Sequence, residues 1–99
     1  MSYLLIVETN IAEPSWVNEY LRKVTPLVNS FGGKYLTRTS AIELLEGTEK
    51  PQFSVVAQFP TKEDALGFYN SEEYRPFKQA RQSGSVSKFL LVPVENATA

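Results

Sequence analysis

The stretch PQFSVVAQFPTKEDALGFYNSEEYRPFKQARQ, Pro51–Gln82, decides the fold. Phe53–Phe59 is rich in aromatic and β-branched residues and stops at Pro60, as a strand does. Thr61-Lys62-Glu63-Asp64 then reads as a capping-box-like helix start, its acidic residue shortened to Asp. Ala65, Leu66, Phe68 and Tyr69 give that helix a buried side. Ser71-Glu72-Glu73 restarts it, and Tyr74, Phe77 and Arg81 fall on one face of the second piece.

Outward from this unit, Tyr3–Glu8 (YLLIVE) reads as a buried strand that Asn10–Pro14 breaks. Pro14 suits a first helical turn, where its missing N–H is no loss. Trp16, Val17, Tyr20, Leu21, Val24, Leu27, Val28 and Phe31 then recur at helical spacing, opposite Asn18, Glu19, Arg22 and Lys23. Pro26 predicts a kink in this helix. Gly32-Gly33 is read as its stop and not as a phosphate loop, because no strand precedes it and no helix follows. Lys34–Ser40 is a second strand, with Ile42–Leu45 as an extension past an irregularity, and Glu46–Gln52 is turn chemistry. Ser83-Gly84-Ser85 ends the last helix, and Lys88–Val94 is the final strand, with Pro93 at an edge or outside the ladder. The order β-α-β-β-α-β predicts a ferredoxin-like α+β fold: a four-stranded antiparallel sheet with the helices on one face. A single domain over residues 1–99 is expected, ordered from about 3 to 94, with Asn96–Ala99 as a frayed tail.

Composition narrows the chemistry. The chain has no Cys and no His, which removes disulfides, thiol nucleophiles, imidazole bases and most zinc or iron ligand sets. Ten Lys+Arg against eleven Asp+Glu give a net charge of −1, no field for nucleic acid or anionic lipid. No Lys/Arg-Gly-aromatic motif occupies Phe53–Phe59, so RNA binding on this strand order is not expected. Leu4–Val7 is too short for a signal core or a membrane span, so a cytoplasmic protein with no membrane partner is expected. The sequon Asn96-Ala97-Thr98 is then a chance match.

Both faces of the sheet carry large apolar residues. Tyr3, Leu5 and Val7 oppose Leu4, Ile6 and Glu8; Phe53, Val55, Ala57 and Phe59 oppose Ser54, Val56 and Gln58; Phe89 and Leu91 oppose Leu90 and Val92. Helices cover only one face. The other would expose more apolar surface than monomers usually tolerate, so a homodimer through facing sheets is expected.

Four features resemble a known group: YLLIVE; Phe31-Gly32-Gly33-Lys34-Tyr35-Leu36-Thr37-Arg38; the Leu44-Leu45-Glu46-Gly47 turn; and Phe59-Pro60 followed by Ala65, Phe68-Tyr69-Asn70-Ser71, Tyr74 and Arg81. In their order and spacing they resemble the dimeric α+β barrel superfamily, and within it a bacterial family catalogued as a domain of unknown function. Thr48 and Glu49 stand where that family usually has an aromatic residue. The resemblance implies a ferredoxin-like protomer and a face-to-face dimer, and implies no established reaction.

The candidate ligand-binding residues are Arg38, Tyr20, Tyr69, Tyr74, Arg81 and Glu46. Arg38 is expected to share a sheet face with Leu36, inside the dimer, either as a bidentate clamp for a carboxylate or enolate or as a structural pair with Glu43, Glu46 or Glu8 of either subunit. Arg81, on the core side of its helix, either closes a pocket mouth or caps its own helix end. Tyr20 and Tyr69 lie in apolar stripes and each needs a partner for a buried hydroxyl. Trp16 reads as core. Glu8 is a base if walled by apolar groups, or a solvated strand end. Two functions compete: a pocket between sheet and helices for a small organic acid or aromatic, with cofactor-free chemistry as in superfamily relatives, or a non-catalytic assembly dimer whose arginines end in salt bridges. No cofactor and no metal is expected in either.

Overall fold

A computed structural model describes residues 1–95, so the tail and sequon at 96–99 lie outside the described residues. The elements in chain order are β1 (Tyr3–Ile11), a 3-10 turn (Pro14–Trp16), α1 (Val17–Ser30), β2 (Lys34–Thr39), β3 (Phe53–Phe59), α2 (Lys62–Tyr69), α3 (Arg75–Gly84) and β4 (Ser85–Pro93). The sheet order is β2-β3-β1-β4 with every neighbouring pair antiparallel. This is the ferredoxin-like α+β arrangement that the element order predicts.

Local chemistry sets the helix ends. Thr61 Oγ1 accepts the Asp64 N–H at 3.1 Å, starting α2. Ser71 Oγ accepts the Tyr74 N–H at 3.1 Å and donates to the Phe68 carbonyl at 2.8 Å, so one side chain closes α2 and opens the turn into α3. At the end of α1, Gly32 takes φ +81°. The Gly33 N–H then reaches back to the Val28 carbonyl at 3.0 Å and the Gly32 N–H to Asn29, a Schellman stop. A Cβ on Gly33 would sit 2.6 Å from the Phe59 ring, so the helix exit packs flat on β3. Pro26 does not interrupt α1, and it lies on the exposed side of that helix.

Strand boundaries differ from the sequence expectation by more than one residue in three places. Thr9–Ile11 continue β1 and Ser85–Ser87 begin β4, because they pair with each other across the sheet (Thr9 with Ser87, Ile11 with Ser85). Cross-strand bonding overrides the poor strand propensity of Asn and Ser. The Ser83-Gly84-Ser85 break is correspondingly sharp, α3 ending at Gly84 and β4 beginning at Ser85. Ile42–Leu45 form no strand.

The core lies between the sheet and the helices: Leu5, Val7, Ala57 and Phe59 from strands, Val24 and Val28 from α1, Ala65 and Phe68 from α2, and Tyr74. Phe59 and Tyr74 are fully buried. The opposite face is bare in this chain. There Ile6 stands between Val56 and Leu90, and Leu4 between Gln58 and Val92.

Candidate functional site

A cleft of about 840 Å³ opens between the helix-side face of the sheet and α1. Its floor is apolar: Leu5 and Val7 of β1, Val55 and Ala57 of β3, and Phe89 of β4. Val17, Leu21, Val24 and Val28 of α1 form the roof. The charged side chains on its walls are Arg22, Arg38 and Arg81, with no Asp or Glu among them. A site with only cations in a chain of net charge −1 is a local reversal of sign.

Arg81 is the buried member, 5% exposed. The α3 turn carries it inward beside Tyr74, seven residues earlier on the same face. Its Nε donates to Tyr74 Oη at 3.4 Å, and its guanidinium lies 4.1 Å above the centre of the Phe89 ring. Neither of its Nη groups meets a protein acceptor, and no carboxylate pairs with it, among the described residues. Burial works against its charge, but the Tyr74, Tyr20 and Tyr69 phenols more than offset this and hold its pKa above the ordinary value. It lies in the last turn of α3, where a cation is favoured, and ends in no ion pair among the described residues.

Arg38 corrects the sequence reading. Tyr35 pairs with Ala57, yet Thr37 pairs with Val56, so Leu36 is an extra residue in β2. This bulge shifts the alternation by one and returns Arg38, opposite Val55, to the helix side instead of the bare face. There Arg38 stacks 4.0 Å over the Tyr35 ring, and its Nη1 donates to Thr25 Oγ1 of α1 at 2.8 Å. It pairs with none of Glu8, Glu43 or Glu46. Glu46 is exposed in the 41–52 loop, away from the cleft. Glu8 lies on the bare face, beside Lys88 and Ser54.

Tyr20 lines the cleft from α1, and its hydroxyl lies 2.5 Å from that of Tyr74 behind it. Burial first, and then the Tyr74 phenol, push the Tyr20 pKa far above the usual phenol range despite the nearby Arg81. Tyr20 stays protonated at neutral pH. Tyr35 is raised as well, by burial, with Arg38 and Thr25 acting against the shift. Tyr69 faces a second, smaller hollow with Arg81, Ser85, Ser87 and Phe89, and Lys78 Nζ stands 4.2 Å over its ring. The structure thus brings Tyr20, Arg81 and Arg38 to one cleft, buries Tyr74 behind Tyr20, puts Tyr69 next door, and leaves Glu46 out.

Trp16 is half-buried at the cleft end, its indole N–H donating to the Gly84 carbonyl at 3.1 Å. Sequence reasoning missed Tyr35, Thr25 and the hydroxyl row Thr9–Ser87–Ser85, with spacings of 2.5 and 2.7 Å. The last could be found only by pairing β1 with β4 as far as Ile11. Among the described residues no group of three acidic, His or Cys side chains gathers to hold a metal, and no helix is long and apolar enough to cross a membrane.

Solved structures share this fold. A protein of unknown function from Rhodopseudomonas palustris superposes with TM-score 0.79 at 16% identity, over 96% of this chain and 84% of that one. The cofactor-independent oxygenase SnoaB from Streptomyces nogalater gives 0.68 at 11% identity, over 97% and 95%. A hypothetical Arabidopsis thaliana protein gives 0.64 at 11%, over 98% and 90%. At such identities the likeness is one of fold. No curated protein matches the chain. A family model does, over residues 2–94, and the chain accordingly belongs to the family described as a domain of unknown function, DUF1330.

Proposed function

We propose that the cleft binds a small organic acid with an apolar, ring-sized body, its anionic group seated on Arg81. One observation carries this reading: a buried guanidinium whose two Nη groups meet no protein acceptor and no carboxylate among the described residues. The chain gives this guanidinium a phenol oxygen and a ring face but no counter-charge among the described residues, and a ligand anion supplies one. Arg38 supports the reading from the far side. Phe89, Val7, Val55 and Arg38 form one row across four strands. At ~4.8 Å per strand that row spans roughly 14 Å of backbone, room enough for a ring system between its ends. An assembly dimer without a ligand requires both arginines to end in carboxylates of either subunit, and within one chain neither does among the described residues. Cofactor-free chemistry on the bound acid fits the fold shared with a cofactor-independent oxygenase and a cleft carrying phenols and guanidinium groups.

The working unit in this proposal is a homodimer through the bare sheet face, where Leu36 is 51%, Leu90 44% and Val92 37% exposed. Covering these with Leu4, Ile6 and Val56 of a second copy is worth several kcal/mol at ~25 cal/mol per Å². Light scattering is expected to give twice the 11.1 kDa chain mass, and Ile6→Lys half of that. A monomeric wild-type chain contradicts the dimer.

Calorimetric titration tests the site. The protein is expected to bind 1-naphthoate at least about 10-fold more tightly than neutral 1-naphthamide, the range for a charge-assisted hydrogen bond. Equal affinity for both, or binding of neither, overturns the proposal.

A further inference from the structure

The Tyr20 and Tyr74 hydroxyls are 2.5 Å apart, and distance alone does not say which one donates. Their surroundings decide. Arg81 has only N–H groups to offer, so the Tyr74 oxygen is the acceptor of its Nε. Tyr74 is 0% exposed and lines neither hollow. Were it also to accept from Tyr20, its own proton would point into packed rings, Phe68 at 4.4 Å among them, with no acceptor. Tyr74 therefore donates to Tyr20. The Tyr20 oxygen, having accepted, keeps its proton free, since no other protein partner reaches that hydroxyl among the described residues. Tyr20 is also the tyrosine of the two that lines the cleft.

We infer that Arg81, Tyr74 and Tyr20 form a one-way donor chain, and that the Tyr20 O–H at its end binds an acceptor oxygen of the ligand, selecting phenolate- or enolate-bearing acids. This rests on the acid-binding reading and narrows it. Tyr20 is the binding residue and Tyr74 a positioning residue that turns the Tyr20 proton outward. A ligand offering an N–H at that point meets a donor and is rejected.

The test uses 4-nitrophenol, whose absorbance separates phenol from phenolate, and 4-nitroanisole, which has no ionisable oxygen. The wild-type protein is expected to bind 4-nitrophenol as the phenolate at a pH where the free probe is mostly protonated. Tyr20→Phe is expected to weaken phenolate binding about 10-fold and to return the bound probe toward the protonated spectrum. Tyr74→Phe moves the spectrum the same way by less, and 4-nitroanisole binds all three proteins alike. Unchanged spectra in both variants overturn the donor chain while leaving the acid site standing. So does binding of 1-naphthoate without binding of 4-nitrophenol. Loss of 4-nitroanisole binding in Tyr20→Phe assigns Tyr20 a packing role and overturns it too. A wild-type protein that binds neither 1-naphthoate nor 4-nitrophenol removes the acid-binding reading itself.

Discussion

The Tyr20 phenol gives stability a pH dependence of one sign. Its folded pKa is raised above the ordinary 10.0 that it regains on unfolding. Below 10.0 both states hold the proton and the group is silent; above it the unfolded chain ionises first and binds fewer protons, so stability falls as pH rises. The Tyr20 slope approaches about 1.4 kcal/mol per pH unit, and Tyr35 acts in the same direction. Urea midpoints on either side of pH 10.0 should therefore drop with pH, and less steeply in Tyr20→Phe. Gly84 gives a second prediction. Its carbonyl accepts from the Ala12 and Glu13 N–H groups at 2.9 and 3.0 Å and from the Trp16 indole at 3.1 Å, and a Cβ there would overlap that indole. Gly84→Ala should cost about 1–3 kcal/mol by urea denaturation, the range for overpacking. These residues also show what the sequence could and could not say. Arg81 and Tyr74 on one helical face were legible from seven-residue spacing. That Arg81 finds no acid was not, because ion pairing depends on which loops approach.

At the scale of elements, the strand-helix-helix unit of Pro51–Gln82 was legible because its punctuation is chemical: Pro60, Thr61 and Ser71 each do one geometric job. Ser71→Ala removes the acceptor for the Tyr74 N–H, and should cost about 1 kcal/mol, the usual value of a lost cap. Tyr74 sits at that junction, so the same variant should also weaken 1-naphthoate binding in the titration. The β2 bulge was not legible. Lys34-Tyr35-Leu36-Thr37-Arg38 alternates plausibly either way and contains no Gly or Pro to mark the extra residue. One unmarked residue moved Arg38 from the expected dimer face to the cleft wall. The outer ends of β1 and β4 were hidden for a related reason: Asn10, Ser85 and Ser87 look like loop residues until their partners are known.

For the whole molecule, the sheet is apolar on both sides, and the two sides have different surroundings. One is closed by helices over a core that stops short of filling the space beneath α1; the other presents Leu4, Ile6, Val56 and Leu90 outward. The fold followed from the element order and the two-faced sheet from period-2 sorting; a pocket between sheet and helices was one of two readings, and its lining was not legible, since a void is what side chains fail to fill. In the proposed function, the void beside Arg81 trades stability for a binding site. The melting temperature and 1-naphthoate affinity of Arg81→Met, measured together, test that trade most directly. Removing a desolvated charge while keeping its volume should leave the unliganded protein at least as stable as wild type and weaken 1-naphthoate binding at least about 10-fold. A variant that melts lower and binds 1-naphthoate as well as wild type would make Arg81 a structural residue and contradict the account.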